Sequence, residues 1–156
     1  MPDGKTHEVI NAAVLMASIG GLYYFSAGYG NAVIATYLDT YTILTFAAAY
    51  IFATLFLSPD LDIDSKPYRR WRMLRVLWWP YKTIFKHRGL SHNPVIGPVS
   101  IVLNLALIVV PLLLLAGVSL QSLPSGSVIA AIAGIVLSIE VHIISDNVIS
   151  RMKSAF

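Results

Sequence analysis

The chain contains no cysteine, which excludes disulfides, iron–sulfur clusters and thiolate zinc sites. Charge is also scarce. Asp, Glu, Lys and Arg make up 12% of the 156 residues, about half of the ~25% usual in a globular domain. No internal repeat or low-complexity tract is visible, and the length suits one folding unit. What fills the space instead is apolar: hydrophobic residues are 56% of the chain, more than a compact soluble protein of this size can hide. Residues 1–156 are therefore read as a single polytopic membrane domain.

Four stretches are long and apolar enough to cross a bilayer, which takes about 20 residues at ~1.5 Å each. They cover approximately 9–29, 41–57, 95–120 and 127–149. The last two are rich in β-branched residues, yet their unbroken length favours helices, because lipid requires each segment to satisfy its own backbone. Pro98 and Pro111 are expected to kink the third span. The expected fold class is an all-α integral membrane protein with four transmembrane helices. The opening segment carries Asp3 and Glu8 beside a single Lys5, so it is read as leading into a retained first helix, not a cleaved signal.

All 11 Lys and Arg residues lie before the first span, between the second and third, or after the fourth. The connections Gly30–Thr40 and Gln121–Gly126 hold none. The positive-inside rule then puts both termini and the 58–94 loop on the cytoplasmic side of the cell's inner membrane. Within that loop, Trp71, Leu74, Trp78, Tyr81 and Phe85 follow helical spacing, as do Arg72, Arg75, Trp79, Lys82 and Lys86. This predicts an amphipathic cytoplasmic interfacial segment between helices two and three, divided at Pro80, with rings at headgroup depth and cations over anionic lipid. Membrane lipids are the expected partners, and the cations also suit an anionic lipid or phosphoester substrate. No nucleic acid partner is expected.

The four histidines each fall near a cytoplasmic helix end. His7 opens the first span, with Asn11 one turn further on. S-P-D-L-D-I-D-S (Ser58 to Ser65) closes the second, and H-R-G-L-S-H (His87 to His92) leads into the third. His142 and Asp146 lie near the end of the fourth, where i,i+4 spacing sets them about 5–6 Å apart on one face, a gap one metal ion can bridge. Six of the eight carboxylates, Glu8, Asp60, Asp62, Asp64, Glu140 and Asp146, gather at this same end. Imidazole with carboxylate suits Zn, Mn, Fe or Ni. If the aspartate loop is extended, Asp60, Asp62 and Asp64 point one way, and Gly89 permits a turn bringing His92 back towards His87. D-L-D-I-D lacks the glycine and distal glutamate of an EF-hand. Ionisable residues within a span, such as His142 and Asp146, are expensive and point to function. Glu140 faces nearly the opposite side of its helix.

T-H-E near the start, S-P-D-L-D-I-D-S, R-W-R with L-W-W-P-Y-K, H-R-G-L-S-H and the terminal H-x-x-x-D together resemble prokaryotic families of metal-binding membrane proteins and membrane-bound metal-dependent hydrolases. The likeness covers most of the chain in order, from His7 to Asp146. It implies a metal centre built from His7, Asp60, Asp62, His87, His92, His142 and Asp146. The sequence departs from the pattern at Asn93-Pro94 and has no arginine early in the third span, so any role of such an arginine falls to Arg88 or another loop cation.

The function expected is a metal-dependent hydrolase at the cytoplasmic membrane face, acting on a phosphoester of a lipid or amphiphile. One or two divalent ions are implied, zinc first, with manganese or iron as alternatives. Asp64 is the expected general base, and Arg88 the expected stabiliser of phosphate charge. The alternative is a non-catalytic metal-binding membrane protein, with a structural site, a sensor or a carrier role. Carriage across the bilayer fits least, because the outer halves of the spans contain no ionisable residue. Since the chain lacks cysteine, single-cysteine variants report orientation directly: Ser125→Cys should react with a membrane-impermeant thiol reagent from outside, and Ser65→Cys should not. The reverse pattern would overturn the orientation.

Overall fold

The computed structural model describes residues 4–29, 37–85 and 88–154. Among them every regular element is helical. Helix α1 (Gly4–Tyr24) runs into a π-helical turn, Phe25–Tyr29. Helix α2 (Thr40–Phe56) begins where Asp39 Oδ1 accepts the Thr42 N–H at 2.7 Å. A 3-10 turn, Pro59–Asp62, follows. Three short pieces come next: α3 (Lys66–Arg70), a 3-10 stretch Arg72–Trp78, and α4 (Trp79–Ile84). Then come α5 (Arg88–Ser91), α6 (Ile96–Leu115), a 3-10 turn Leu120–Ser122, and α7 (Ser125–Ser154).

Among the described residues, three stretches are long and apolar enough to cross a membrane, Thr6–Ala27, Ile96–Leu115 and Ser125–Met152. Helix α2 has 17 residues, about 25 Å against a hydrocarbon core of ~30 Å. The third span is shorter than the sequence suggests. Gly117 adopts a φ of 75°, and the Val118 N–H bonds the Leu113 carbonyl at 2.9 Å while the Gly117 N–H bonds that of Leu114 at 3.0 Å. That pairing closes α6 as a Schellman motif. Pro98 occupies the first turn, where no N–H is needed, and the helix continues through Pro111.

Helices α2 and α7 form the closest pair. A Cβ on Gly134 would stand 2.5 Å from the Phe46 carbonyl oxygen and 3.1 Å from the Tyr50 nitrogen, so only glycine allows this approach. Gly97 plays the same part against the Ser91 carbonyl, where α6 starts beside α5. The core joins Ala53 and Leu57 of α2, Ile101 of α6, and Ile135, Ile139 and Ile143 of α7.

The linking segment departs from the interfacial helix the sequence predicts. It breaks at Arg72, whose φ of 47° lies in the left-handed region, a conformation costing an L-residue about 1–2 kcal/mol. Pro80 sits in the first turn of α4. The aromatic stripe turns inward: Trp78 and Tyr81 are fully buried in the core, Trp71 and Phe85 pack against it, and Leu74 stays exposed. Ring contacts run in series from Trp71 through Trp78 and Tyr81 to Phe85 at 4.8–6.0 Å. Burial between α2, α6 and α7 removes more aromatic surface from water than a headgroup layer would. The residues left outward are Met73, Leu74, Val76, Trp79 and Ile84.

Replacing Gly134 by Leu should force α2 and α7 apart and lower stability by at least about 1–3 kcal/mol. Gly20→Leu, which meets nothing within 4 Å, should be near neutral. Thermal unfolding in detergent compares the two.

Candidate metal centre

Four parts of the chain deliver the cluster: His7 from the first turn of α1, Asp60 from the turn after α2, His92 just beyond α5, and His142 with Asp146 from α7. Local chemistry sets each one. Ser58 Oγ accepts the Asp60 N–H at 3.2 Å, and Pro59 fixes the first residue of the turn. Asn93 Oδ1 accepts the Val95 and Ile96 N–H groups at 2.9 and 3.0 Å, which starts α6 and holds the preceding His92 in place.

His7 Nε2 lies 3.1 Å from Asp146 Oδ1. Asp146 Oδ2 lies 3.3 Å from His92 Nε2 and 3.6 Å from His142 Nε2. Asp60 approaches the same two imidazoles, with Oδ1 at 3.5 Å from His92 Nε2 and Oδ2 at 3.5 Å from His142 Nε2. The His7 and His142 rings stack at 4.0 Å and 14°.

Proximity here is not hydrogen bonding. Asp60 Oδ1, His92 Nε2, His142 Nε2 and both Asp146 oxygens are buried with no hydrogen-bond partner. Such atoms are costly unless something else satisfies them. Donors held ~2.0–2.1 Å from a tetrahedral ion stand about 3.3 Å from one another, which falls within the observed spacing of 3.1–3.6 Å. Two sets of three donors each lie within 4.8 Å: His7, His142 and Asp146, and Asp60, His92 and His142. Three imidazoles with two carboxylates fit a divalent cation.

Two serines fix the imidazole tautomers. Ser145 Oγ donates to the His142 carbonyl at 2.8 Å, so at 2.8 Å from His7 Nδ1 it accepts the Nδ1–H. That leaves the Nε2 lone pair facing Asp146 and the cluster. Ser91 Oγ donates to Asp62 Oδ2 at 3.0 Å and sits 3.2 Å from His92 Nδ1, with the same result for His92 Nε2. Burial pushes the Asp60 carboxyl up, but contact with His142 and the charges of His142 and His92 outweigh it and hold the group below the usual range. Burial dominates at Asp62, aided by the neighbouring Asp60, and raises it. Contact with Asp146 raises His92 against the effect of burial.

The structure brings together five of the residues singled out by sequence. Asp62 belongs to neither donor set and turns to Ser91. Asp64 is two-thirds exposed and stands 3.8 Å from Arg69, away from the cluster. The reason is the 3-10 turn over Pro59–Asp62, which fans the three aspartates where an extended loop would align them. His87 and the Arg88 side chain lie outside the described residues. Sequence reasoning missed Ser91 and Ser145, although both sit inside the quoted motifs beside a candidate ligand. It also missed Tyr50 and Ser138. Asn11 Oδ1 accepts from Tyr50 OH at 2.9 Å and from Ser138 Oγ at 3.3 Å, while its Nδ2 donates to the His7 carbonyl at 3.1 Å. This network ties α1, α2 and α7 one turn deeper than the cluster.

Residues 2–123 match the family described as uncharacterized metal-binding protein (DUF2227). The chain belongs to that family. The match takes in His7, Asp60 and His92, and His142 and Asp146 lie beyond it. An uncharacterized protein of Aquifex aeolicus (strain VF5) is 46% identical over 55 residues, 35% of this chain and 39% of its own length. The chain thus spans well under half of that curated relative in the match. No solved structure matches.

For a member of a metal-binding family, orienting hydroxyls are part of the site. Ser145→Ala and Ser91→Ala should each weaken metal affinity about 10–100-fold, measured by competition with a chromophoric chelator. Unchanged affinity in both would show that the serines do not orient the imidazoles.

Proposed function

We propose that this protein is a metal-dependent hydrolase working at the cytoplasmic face of a membrane, on a phosphoester of a lipid or other amphiphile. The observation that carries this reading is a cavity of about 200 Å³ opening directly on the cluster. His7, Asp60, His142 and Asp146 line it, and Lys66 and Arg70 line it too. A site that only fastens helices is closed, whereas a catalytic one keeps a position open to substrate. In this reading α2 is a fourth span, short enough to need a thinned bilayer or flanking polar residues. The positive-inside rule places the cluster beneath the inner leaflet.

His7, Asp60, His92, His142 and Asp146 would hold one or two divalent ions, zinc first. The bound ion supplies a water acidified towards neutrality and a Lewis acid for the phosphoryl oxygen. The chain's own groups do the rest. Lys66, beside an Arg70 that is paired with Glu8, brings positive charge to where a phosphate would enter, the role expected of Arg88. Asp62 keeps Ser91, and through it His92, in register. Asp64, two-thirds exposed beside Arg69, is too far out to take the attacking water's proton.

One observation favours a non-catalytic site: five donors are enough to saturate a single ion, leaving no open position. Elemental analysis of purified protein should find near-stoichiometric Zn, Mn or Fe, and His92→Ala or Asp60→Ala should lose most of it. A full metal load in a His92→Ala, His142→Ala double variant would sink the ligand set. Metal should also be released as pH falls below ~6, where protons compete for imidazole. Turnover of phosphodiester or phosphomonoester substrates in detergent, abolished by chelator, supports the hydrolase. Chelation that lowers stability with no turnover on any substrate supports the structural site.

A further inference from the structure

A second cavity, also about 200 Å³, lies between α1 and α2 and continues the first. Glu8, Asn11 and Thr54 line both. Beyond them the walls turn apolar, with Ala12 and Leu15 on α1 facing Ile51 and Leu55 on α2. From Glu8 to Leu15 the crevice climbs about 10 Å along the helix. Ala12 and Ile51 are exposed, so it opens on the outer surface of the bundle and not into its core. One continuous recess thus has a polar, cation-lined end at the cluster and an apolar end along the helices.

We propose that this recess seats a membrane phospholipid, with the phosphate beside Lys66 and one acyl chain in the crevice between α1 and α2. The inference rests on the membrane and metal reading above and deepens it by naming the substrate class. Charge argues for a phosphate. Arg70 Nη2 lies 2.8 Å from Glu8 Oε1, and Arg70 Nη1 donates to the Leu55 carbonyl at 2.9 Å. Arg70 therefore cancels the Glu8 carboxylate where the two cavities meet, and with Asp60 and Asp146 committed to a divalent ion, as in the reading above, Lys66 leaves the polar end with a net positive charge. The Glu8–Arg70 pair also ties α1 to α3, fixing the width of the opening. Geometry argues for a lipid over a free phosphate. A soluble phosphate fills only the polar end, while a phospholipid fills both, its phosphate at Lys66 and an acyl chain between Leu15 and Leu55.

The test uses the full chain in vesicles containing phosphatidic acid that carries a photoactivatable diazirine midway along one acyl chain. After illumination, peptides are mapped by mass spectrometry and metal content is measured on the same samples. Labelling should concentrate on residues 12–15 and 51–55. Ala12→Trp, and independently Ile51→Trp from the opposite wall, should reduce it roughly tenfold, as expected when an indole fills the space the chain would occupy, with metal content unchanged. Lys66→Gln should reduce capture of phosphatidic acid but not of a diacylglycerol bearing the same chain. Label spread equally over outward residues of α6 such as Leu103 and Leu107, or unaffected by both tryptophan variants, would overturn the proposal even if the metal is bound. Crevice labelling in a protein that binds no metal would uphold the lipid seat and remove the hydrolase reading instead.

Discussion

Two carboxylates, Asp60 and Asp146, are held against the same pair of imidazoles, with Asp60 Oδ1 and both Asp146 oxygens buried and without a hydrogen-bond partner. That convergence constrains everything around it. Two like charges at this spacing repel, and burial penalises both. Protonating one carboxyl would relieve the repulsion but would not satisfy the imidazole nitrogens aimed at the same point. One or two divalent cations, held by the two sets of three donors, would satisfy them together. The surrounding structure is built to keep the donors converging: α7 supplies two of them one turn apart, and α2 is locked to α7 at Gly134. The turn carrying Asp60 is capped by Ser58. Relaxing any one of these would let the cluster spread and the carboxylates find solvent.

The hydroxyls explain why the donors are the Nε2 atoms. Each of Ser91 and Ser145 directs its proton to another acceptor, Asp62 or the His142 carbonyl, so each accepts from a histidine Nδ1–H. Asp62 is thereby given a different task from Asp60 although only one residue separates them. Its buried, raised carboxyl is suited to anchoring a hydroxyl more than to bearing charge on an ion. The deeper Asn11 network does the same for the helix that carries His7, fixing α1 against both α2 and α7 with three polar side chains, Asn11, Tyr50 and Ser138, in place of apolar packing.

Much of this was legible in the sequence because it depends on spacing along helices. His142 and Asp146 share a face by periodicity alone, and four histidines near helix ends assigned to one side forecast a meeting that the structure shows for His7, His92 and His142, His87 lying outside the described residues. What was not legible depends on breaks in the periodicity. Asp60, Asp62 and Asp64 alternate as if on a strand, but Pro59 starts a 3-10 turn and sends them three ways. The aromatic stripe from Trp71 to Phe85 has the period of an interfacial helix, yet a left-handed residue at Arg72 splits it, and its rings fill the space between α2, α6 and α7. Helical spacing says which side chains share a face. It does not say whether that face meets lipid or protein, and here the largest rings found a protein partner.

That inward turn also bears on how the site is reached. With Trp78 and Tyr81 buried against Ile101 and Ile139, the flank of the cluster towards α6 is sealed by packed rings. The flank between α1 and α2 is only partly filled: Tyr50 closes its inner side through its bond to Asn11, while small Ala12 and the polar Thr54 line the outer side and leave a crevice. The helix that contributes one donor, α1, is also the one least enclosed by the core, whose buried residues come from α2, α6, α7 and the linking segment. A centre assembled only to clamp helices would gain from sealing both flanks. Sealing one and leaving the other as a graded polar-to-apolar recess is the arrangement expected where an amphiphile must bring its head to the donors while its tail stays out of water.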